Sequence, residues 1–355
     1  MNQENLRDVL IKQPETHSKK LPLERKDMES KTKNKKSREQ IESMAIRAFN
    51  GTKLAAGEEA ITELKQGWFN AAYEVKLEDG RDVILKIAPP LIAEVMLYEK
   101  NIMKTEVASM RLVRKNPNIP VPEIYFFDDA HDLCDSDYFF MEKLYGDNLE
   151  HVKASLPVET QESVDLHIGE IIREINTFPG TYFGYDGNPD LRANTWKEAF
   201  IKIVESVLED AARKNVVFDF GYDEIRAVLS KHAPALEEIA SPCLVHWDAW
   251  NPNFFVRDGK VTGIIDFERA LWAEPLMEAQ FRYFGGDPVS NAMRGYGKTN
   301  FTFAEEQRNY LYSLHLALVM HTECFYRNYD TDDIFNFSRQ YIGKNMEWLK
   351  ANQVL

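Results

Sequence analysis

The sequence lacks the features of a membrane or secreted protein. Its 355 residues contain no apolar run of roughly 18 residues, the length that a membrane-spanning helix needs. The N-terminus is polar and mixed in charge, without the apolar stretch of a secretion signal. Its three cysteines, Cys134, Cys243 and Cys324, are scattered and do not have the spacing of a metal site. We therefore expect a cytoplasmic protein with reduced thiols and no membrane partner.

An excess of positive charge is also missing. The chain has 43 Lys and Arg residues against 57 Asp and Glu residues, which gives a net charge of −14. A nucleic-acid backbone needs a basic face, so this balance argues against nucleic acid as a partner. It suits a substrate that carries positive charge, although acidity is also common among soluble proteins. The content of 44% hydrophobic and 28% charged residues is ordinary for a globular protein.

Residues 1–40 contain no aromatic residue and few large apolar ones. They hold eleven Lys and Arg residues against seven Asp and Glu residues. Such a segment buries too little apolar surface to offset the entropy lost on ordering, so we expect a flexible tail. A nucleic-acid-binding arm is the alternative, but opposite charges are interleaved here and no aromatic residue is available for stacking.

The rest of the chain predicts an α+β fold with two unequal lobes, a strand-rich one over residues 41–143 and a mainly helical one over residues 144–355. In the first lobe, Asp79-Gly80 separates two apolar runs and predicts an antiparallel hairpin. An apolar strand over residues 138–144 connects the lobes. Helical spacing of apolar residues occurs at residues 37–49, 95–115, 164–178, 195–212, 223–239, 311–320 and 334–349.

The stretch that carries most chemistry is residues 244–268. Two apolar runs flank the turn pair Asp258-Gly259, which predicts a second hairpin. Folding this hairpin brings Asp248 and Asn253, before its first strand, beside Asp266, after its second strand. Three oxygen-bearing side chains then converge, an arrangement that suits a divalent cation and a hydroxyl group awaiting activation.

Two charged residues of the first lobe are uninformative in isolation. Lys86 lies in the second strand of the first predicted hairpin, and strand alternation alone favours a side chain that faces solvent. Glu106 lies in the helix predicted at residues 95–115 and, taken alone, is an exposed helix residue.

Along the chain, a hairpin with Lys86, a helix with Glu106, a connecting strand and the 244–268 hairpin follow one another. This order resembles the protein-kinase-like fold, and specifically the aminoglycoside phosphotransferase and choline kinase family. His246-Trp247-Asp248 followed by Asn253 is similar to the catalytic loop of that family, because the Asn stands five residues after the Asp as in protein kinases. Asp266-Phe267-Glu268 resembles the metal-binding segment of the family rather than the protein-kinase Asp-Phe-Gly, since Glu268 replaces the glycine. The resemblance covers residues 41–345.

The resemblance implies a role for each residue of this set. Asp248 is expected to act as the catalytic base towards the attacking hydroxyl, and Asn253 and Asp266 to hold Mg²⁺. Lys86 is expected to contact the α- and β-phosphates of ATP and to pair with Glu106. Glu99 is the alternative partner of this lysine.

The resemblance also implies nucleotide contacts elsewhere in the first lobe. The loop expected over the phosphates is poor in glycine, since Gly67 stands alone and is followed by Asn70. The adenine is expected against the backbone of the connecting strand at Phe140, Met141 and Glu142. A purely structural role in the core is an equal alternative for the Met141 side chain.

Together these expectations describe an ATP-dependent phosphotransferase that transfers the γ-phosphate to a hydroxyl of a small molecule, such as an amino sugar or amino alcohol. A cluster of aromatic and acidic residues is expected to form a pocket for an ammonium group. Its members are Trp247, Trp250, Glu268, Trp272, Glu274 and Glu278.

Two other functions stay open. The first is a protein Ser/Thr kinase, and the absence of a segment running from Asp-Phe-Gly to Ala-Pro-Glu counts against it. The second is a catalytically silent pseudokinase that binds nucleotide. The presence of Lys86, Asp248, Asn253 and Asp266 counts against that function. The fold alone does not name the phosphate acceptor.

Overall fold

The computed structural model describes residues 33–65, 69–282, 289–327, 329 and 331–352. Most of the predicted tail, and Gly67 among the predicted nucleotide contacts, lie outside these residues. Within the predicted tail, Asn34 is buried and its side-chain N–H group donates to Asp135 at 2.8 Å and to Ser136 at 2.9 Å. Over the described ranges, no helix is long and apolar enough to cross a bilayer.

The N-terminal lobe is built on an antiparallel sheet that has five strands within the described residues. Their spatial order is β1-β2-β3-β5-β4. The first predicted hairpin is confirmed, since β2 and β3 pair antiparallel on either side of Asp79-Gly80. β5 lies between β3 and β4 and pairs with both. The strands are β1 (Ile61–Leu64), β2 (Ala71–Lys76), β3 (Asp82–Ile87), β4 (Ile124–Asp128) and β5 (Tyr138–Glu142).

Helix α1 (Arg38–Ala48) covers one face of this sheet. It begins after the N-cap Ser37, whose hydroxyl accepts the Gln40 N–H while the Gln40 side chain accepts the Ser37 N–H. Buried residues alternate along β3, as expected for a strand with one face in a core. Val83 and Met44 therefore join one hydrophobic cluster between helix and sheet.

Helix α2 (Ile102–Val113) packs on the other face, in a cluster that includes Phe139. The prediction that this helix starts near residue 95 is wrong, because Asn101 takes a left-handed conformation with φ of 52° that interrupts a helix. Residues 94–101, called the bridging segment below, instead cross to the C-terminal lobe. There the Leu97 N–H donates to Asp210 Oδ2 at 2.8 Å. The start of α2 is thus anchored on the other lobe.

The C-terminal lobe is mainly helical, and the predicted helices after residue 144 are all present. The predicted 223–239 helix is shorter, because Pro234 lacks an N–H group and the chain continues there as a 3-10 turn (Ala233–Glu238). The helices are α3 (Leu149–Val152), α4 (Val158–Ile175), α5 (Trp196–Arg213), α6 (Tyr222–His232), α7 (Asn291–Tyr296), α8 (Phe303–Arg327) and α9 (Asp333–Ala351).

Short strands complete this lobe and position the loop that contains Asp248. The second predicted hairpin is confirmed as β8 and β9, and Asp258 and Gly259 at its turn both have positive φ, at 51° and 71°. β6 extends this hairpin into a small sheet, and β7 pairs with β10. The strands are β6 (Asp147–Asn148), β7 (Cys243–Val245), β8 (Phe254–Arg257), β9 (Lys260–Ile264) and β10 (Leu271–Ala273).

Candidate active site

Lys86 on β3 lies at the centre of a group of carboxylates. Its Nζ is 2.8 and 2.7 Å from the two carboxylate oxygens of Glu106, and 2.7 Å from Asp266 Oδ1. Glu268 Oε2 lies farther away, at 3.5 Å. Glu99, the alternative partner, pairs instead with an arginine of the C-terminal lobe. Burial would lower the pKa of Lys86, but these carboxylates hold it well above its ordinary value, so the lysine stays protonated.

The loop between β7 and β8 is held in place by two buried side chains. The Glu278 carboxylate accepts the backbone N–H of His246 at 2.9 Å and that of Trp247 at 3.0 Å. The His246 Nε2 lies 3.0 Å from the carbonyl oxygen of Ile265, which ties the loop to the end of β9. Burial lowers the pKa of His246 to about 4, so its ring is neutral near pH 7. These contacts give His246 a supporting position in the loop.

Asp248 follows in this loop and faces Arg269. Its Oδ2 lies 4.0 Å from the Arg269 Nε. Burial raises the pKa of Asp248 to about 7, while Arg269 acts in the opposite direction and Asp266 and Glu268 raise the pKa further. A carboxylate with a pKa near neutrality can accept and release a proton close to physiological pH. Asp248 is therefore suited chemically to the role of general base.

The β8–β9 hairpin brings Asn253 and Asp266 to one end. The Ile265 N–H donates to the Asn253 carbonyl oxygen at 3.0 Å, so the chain segments before and after the hairpin run side by side. The side-chain N–H group of Asn253 donates to the Asp248 carbonyl oxygen at 2.7 Å, which leaves its side-chain oxygen as the atom that could bind a metal. Asp266 has φ of 71°, and its carboxylate reaches Lys86.

The oxygen atoms around Lys86 fit a magnesium ion. One carboxylate oxygen from each of Glu106, Asp266 and Glu268 lies within 4.8 Å of the others. The Asn70 side chain donates to Glu268 at 2.6 Å, and its own side-chain oxygen has no hydrogen-bond partner among the described residues. Burial and the neighbouring carboxylates raise the pKa of Glu106 to about 8 and also raise the pKa of Glu268. Mg²⁺ prefers oxygen ligands, and a divalent cation bound here would favour the ionised form of these carboxyl groups.

Two residues of the site differ from the expectations or are absent from them. Glu268, expected in an ammonium pocket, lies beside Lys86 and Asn70 instead. Arg269 was not identified from the sequence, and its guanidinium is held by Glu323 of α8 at 2.7 Å. Glu268 and Arg269 stand two and three residues after Asp266, and this proximity is the only sequence signal for them. Glu323 has no such signal.

Three of the remaining residues of the expected ammonium pocket, Glu274, Glu278 and Trp272, are engaged in other contacts. Glu274 is buried against Arg308, with both carboxylate oxygens 3.0 Å from the guanidinium Nε. Glu278 supports the loop backbone as described above. The Trp272 indole donates to Asp186 at 3.0 Å. The acidic side chains of this set are therefore engaged in contacts that hold the lobe together.

The connecting strand offers less backbone to an adenine than expected. Phe140 is fully buried, with its ring 5.1 Å from that of Phe49 on the α1 side of the sheet. Met141 packs in the cluster on the α2 side, and the Glu142 N–H donates to the Glu123 carbonyl oxygen at 2.8 Å. Because β5 is paired with a strand on each side, its backbone groups are used within the sheet. The first backbone groups that could bind an adenine are those of residue 143.

The chain matches known proteins both in sequence and in structure. The model of the "Phosphotransferase enzyme family" matches residues 60–308. The structure is similar to that of a thermostable mutant of aminoglycoside phosphotransferase APH(4)-Ia in a ternary complex with ADP and hygromycin B. That comparison has a TM-score of 0.62 and 15% identity, and it covers 87% of this chain and 98% of the other.

Two further similarities are more distant or more local. The ternary complex of APH(2'')-IIa with streptomycin and ATP has a TM-score of 0.57 and 13% identity, over 90% of this chain and 98% of the other. A subtelomeric hrmA-associated cluster protein of Aspergillus fumigatus is 26% identical over 125 residues. That match spans 35% of this chain and only 24% of the fungal protein.

The structural similarities, at such low identity, show the fold alone, and they confirm the predicted two-lobed, protein-kinase-like α+β architecture. The family model adds the sequence evidence, because it spans most of both lobes. The chain therefore belongs to the phosphotransferase enzyme family.

Proposed function

We propose that the protein transfers the γ-phosphate of ATP to a hydroxyl group of a small molecule. The observation that carries this proposal is Lys86, held between Glu106 and Asp266 at 2.7 to 2.8 Å, with the Asp248 loop tied to the Asp266 segment. Phosphoryl transfer asks the protein mainly to position its reactants and to neutralise charge. A fixed lysine, a base and oxygen ligands for a cation meet those needs.

Each residue has a proposed part in this reaction. Lys86, positioned by Glu106, binds the α- and β-phosphates. Asp248 orients the acceptor hydroxyl and takes its proton. Asn253 and Asp266 hold Mg²⁺, which neutralises charge on the phosphates when bound. The carboxylate cluster around Lys86, in which Asp266 Oδ1 lies 2.7 Å from the lysine Nζ, supports the part of Asp266. The hydrogen bond from the Asn253 side-chain N–H to the Asp248 carbonyl oxygen, which leaves the Asn253 side-chain oxygen for a cation, supports the part of Asn253.

ATP is the proposed donor. The two aminoglycoside phosphotransferase structures named above contain ADP in one case and ATP in the other. Asn70, buried beside Glu268, and Gly67 are proposed to belong to the loop over the phosphates. The adenine is proposed to bind where β5 ends, with Lys143 offering the first backbone groups outside the sheet.

A cavity of about 360 Å³ beside the catalytic loop is the proposed acceptor site. The cavity is lined by Trp250 and Asn251, which follow the proposed base Asp248 in the same loop. Glu150 and Asp165 add two carboxylates to its wall, and the Asp165 carboxylate lies 2.5 Å from the Lys153 Nζ. An aromatic face beside carboxylates suits a ring compound that carries hydroxyl and amino groups. The bound compounds in the two similar structures are hygromycin B and streptomycin.

Mg²⁺-dependent consumption of ATP, measured across amino sugars, amino alcohols and a generic protein substrate, tests the proposal. We expect turnover with at least one small-molecule hydroxyl acceptor. Turnover with the protein substrate alone would identify a protein kinase instead. Tight ATP binding without turnover of any acceptor would identify a pseudokinase.

A further inference from the structure

Phe69 and Asn70, which directly precede β2, are attached to the C-terminal lobe by their side chains. Phe69 and Asn70 are only 6% and 5% exposed. Asn70 donates to Glu268 at 2.6 Å. Phe69 belongs to the main hydrophobic cluster of the C-terminal lobe, not to the cluster under its own sheet. Two consecutive residues of the N-terminal lobe are therefore fixed on the other lobe.

Arg327, the last residue of α8, supplies the surface against which Phe69 packs. Its guanidinium carbon lies 4.4 Å from the centroid of the Phe69 ring. Arg327 is only 3% exposed, so water screens this contact little. A guanidinium over an aromatic face is attracted by the negative charge density of the ring, and more strongly when both are desolvated.

The bridging segment fixes the orientation of Arg327. Glu99 accepts a hydrogen bond from the Arg327 Nη2. The other carboxylate oxygen of Glu99 accepts the Met96 N–H at 2.8 Å, and the Tyr98 hydroxyl lies 3.2 Å from Glu99 Oε1. Because Glu99 is itself held by its own segment, the guanidinium it pairs with has little freedom to turn. Arg327 thus joins the loop at Phe69 to the residues that precede α2.

The Arg327 guanidinium is not fully hydrogen-bonded. Its Nη1 is buried and has no hydrogen-bond partner in the part of the chain that the structure describes. An unpaired buried donor is unfavourable, so its environment must compensate elsewhere. The charge of the guanidinium is balanced by its ion pair with Glu99 and by Glu323. One face of the guanidinium lies against the Phe69 ring.

We propose that Arg327 is a positioning residue for nucleotide binding, which through its contact with Phe69 fixes the start of β2 beside Glu268 and Lys86 at the proposed phosphate site. The proposal rests on the nucleotide-binding role proposed above. In kinases a glycine-rich loop covers the phosphates through close backbone approach. Here Gly67 is the single glycine of that region. In this protein the side chains of Phe69 and Asn70, rather than several glycines, hold the backbone before β2 in position.

Titration calorimetry of the full-length protein with AMP-PNP in the presence of Mg²⁺ tests the proposal. Arg327→Lys keeps a charge opposite Glu99 but removes the planar face. Phe69→Leu keeps an apolar side chain but removes the ring. We expect each variant to weaken AMP-PNP binding by about three- to tenfold. The double variant should bind no more weakly than either single variant, because both remove the same contact.

Conservative and control variants separate positioning from general stability. Phe69→Tyr keeps the ring and should bind AMP-PNP within about twofold of the wild type. Arg192→Lys is the matched control, because Arg192 stacks over Tyr182 at the same 4.4 Å but within the C-terminal lobe. If an acceptor is turned over, Arg327→Lys and Phe69→Leu should raise the KM for ATP and leave kcat unchanged.

The outcomes are distinguishable. If Arg327→Lys and Phe69→Leu both fold, as judged by thermal denaturation, and bind AMP-PNP like the wild type, the positioning role is overturned and the kinase assignment stands. If Arg327→Lys does not fold, Phe69→Leu decides alone. If the wild-type protein does not bind AMP-PNP, both the positioning role and the proposed nucleotide site are overturned.

Discussion

Asp248 is the single residue on which the proposed chemistry depends most directly. Asp248→Asn removes the proton acceptor but keeps the size of the side chain, so the loop should hold its shape. We expect turnover to fall by about 10²- to 10⁴-fold, the usual contribution of a general base. AMP-PNP affinity should stay within about threefold, since Asp248 is not a proposed nucleotide contact. Initial rates and titration calorimetry measure the two effects.

Asp258→Asn is the matched control for this experiment. Asp258 lies at the turn of the β8–β9 hairpin with its side chain 93% exposed, so the same chemical change there should leave turnover unaltered. Near-normal turnover of Asp248→Asn would assign the base to another group.

Asp266 tests the cation at the same site. Asp266→Asn removes one negatively charged oxygen ligand while keeping a neutral one. We expect the Mg²⁺ concentration at half-maximal activity to rise by about tenfold or more, because weakened metal ligation commonly costs affinity on this scale. Rates measured over a Mg²⁺ titration give this value. An unchanged Mg²⁺ dependence would remove Asp266 from the metal site, and Asp258→Asn again serves as the control.

Lys86 shows why a residue's surroundings decide its role. Alternation along β3 correctly separates Lys86 from Val83 and Ile87, which face α1. The pairing with Glu106 that the family resemblance implied is present. Alternation taken alone would instead direct the lysine to solvent, but the other face of the sheet is also covered. There α2 supplies Glu106, and the side chain of Lys86 is only 12% exposed. A strand pattern reports which residues share a face, but not what lies against that face.

At the scale of elements, the crossing of α4 and α7 is built on two glycines. A Cβ on Gly169 would lie 1.9 Å from the Ala292 carbonyl oxygen, and one on Gly295 would lie 1.9 Å from the Leu166 carbonyl oxygen. The two backbones therefore touch directly. Ala292 also lines the proposed acceptor cavity, so this crossing sets one of its walls.

Gly169→Ala should force these helices apart. We expect the free energy of unfolding to fall by about 1 to 3 kcal/mol, as for other overpacked sites. Urea unfolding measures it. Gly343→Ala in α9 is the control, since a Cβ there meets no atom within 4 Å. The free energy of unfolding of Gly343→Ala should rise by up to about 1 kcal/mol, because alanine has a higher helix propensity than glycine. Equal stability of both variants would show that α4 and α7 adjust freely.

At the scale of the whole molecule, buried neutral histidines link stability to pH. Burial, assisted by Arg282, lowers the pKa of His315 to about 3, and the pKa of His246 is lowered to about 4. The unfolded chain takes up these protons near pH 6.5, so each histidine lowers the free energy of unfolding as pH falls below that value. The effect is about 1.4 kcal/mol per pH unit for each group. Carboxylates with raised pKa, such as Glu278, act in the opposite direction.

A variant isolates the histidine contribution from those carboxylates. His315 lies among the rings of Phe200 and Trp247, and its Nδ1 has no hydrogen-bond partner among the described residues, so His315→Leu suits the site. When the pH falls from 7 to 5, the free energy of unfolding of this variant should rise by about 2 kcal/mol relative to that of the wild type. Urea unfolding at the two values measures the difference. Parallel pH profiles for variant and wild type would show that His315 binds its proton equally well in the folded and the unfolded chain.

The features that the sequence determined by itself are those carried by neighbouring residues. Ser37 and Gln40 form a capping box within one turn, and Asp258-Gly259 closes a hairpin whose two strands are adjacent in the chain. The step from Asp248 to Asn253 belongs to one loop. Such features depend on local backbone geometry, so they can be recognised before the chain is folded.

Only the tertiary structure decided the contacts between distant parts of the chain. The family resemblance implied that Lys86 pairs with Glu106 and left Glu99 as the alternative, and the structure has the first of these pairs. The structure also gave Glu99 to Arg327, placed Arg269 beside Asp248, and set Phe69 on the other lobe. These pairs depend on where the bridging segment and α8 pack, and packing is set by the whole core. A local pattern limits which side chains share a face, but the partner on the other side is chosen only when the elements come together.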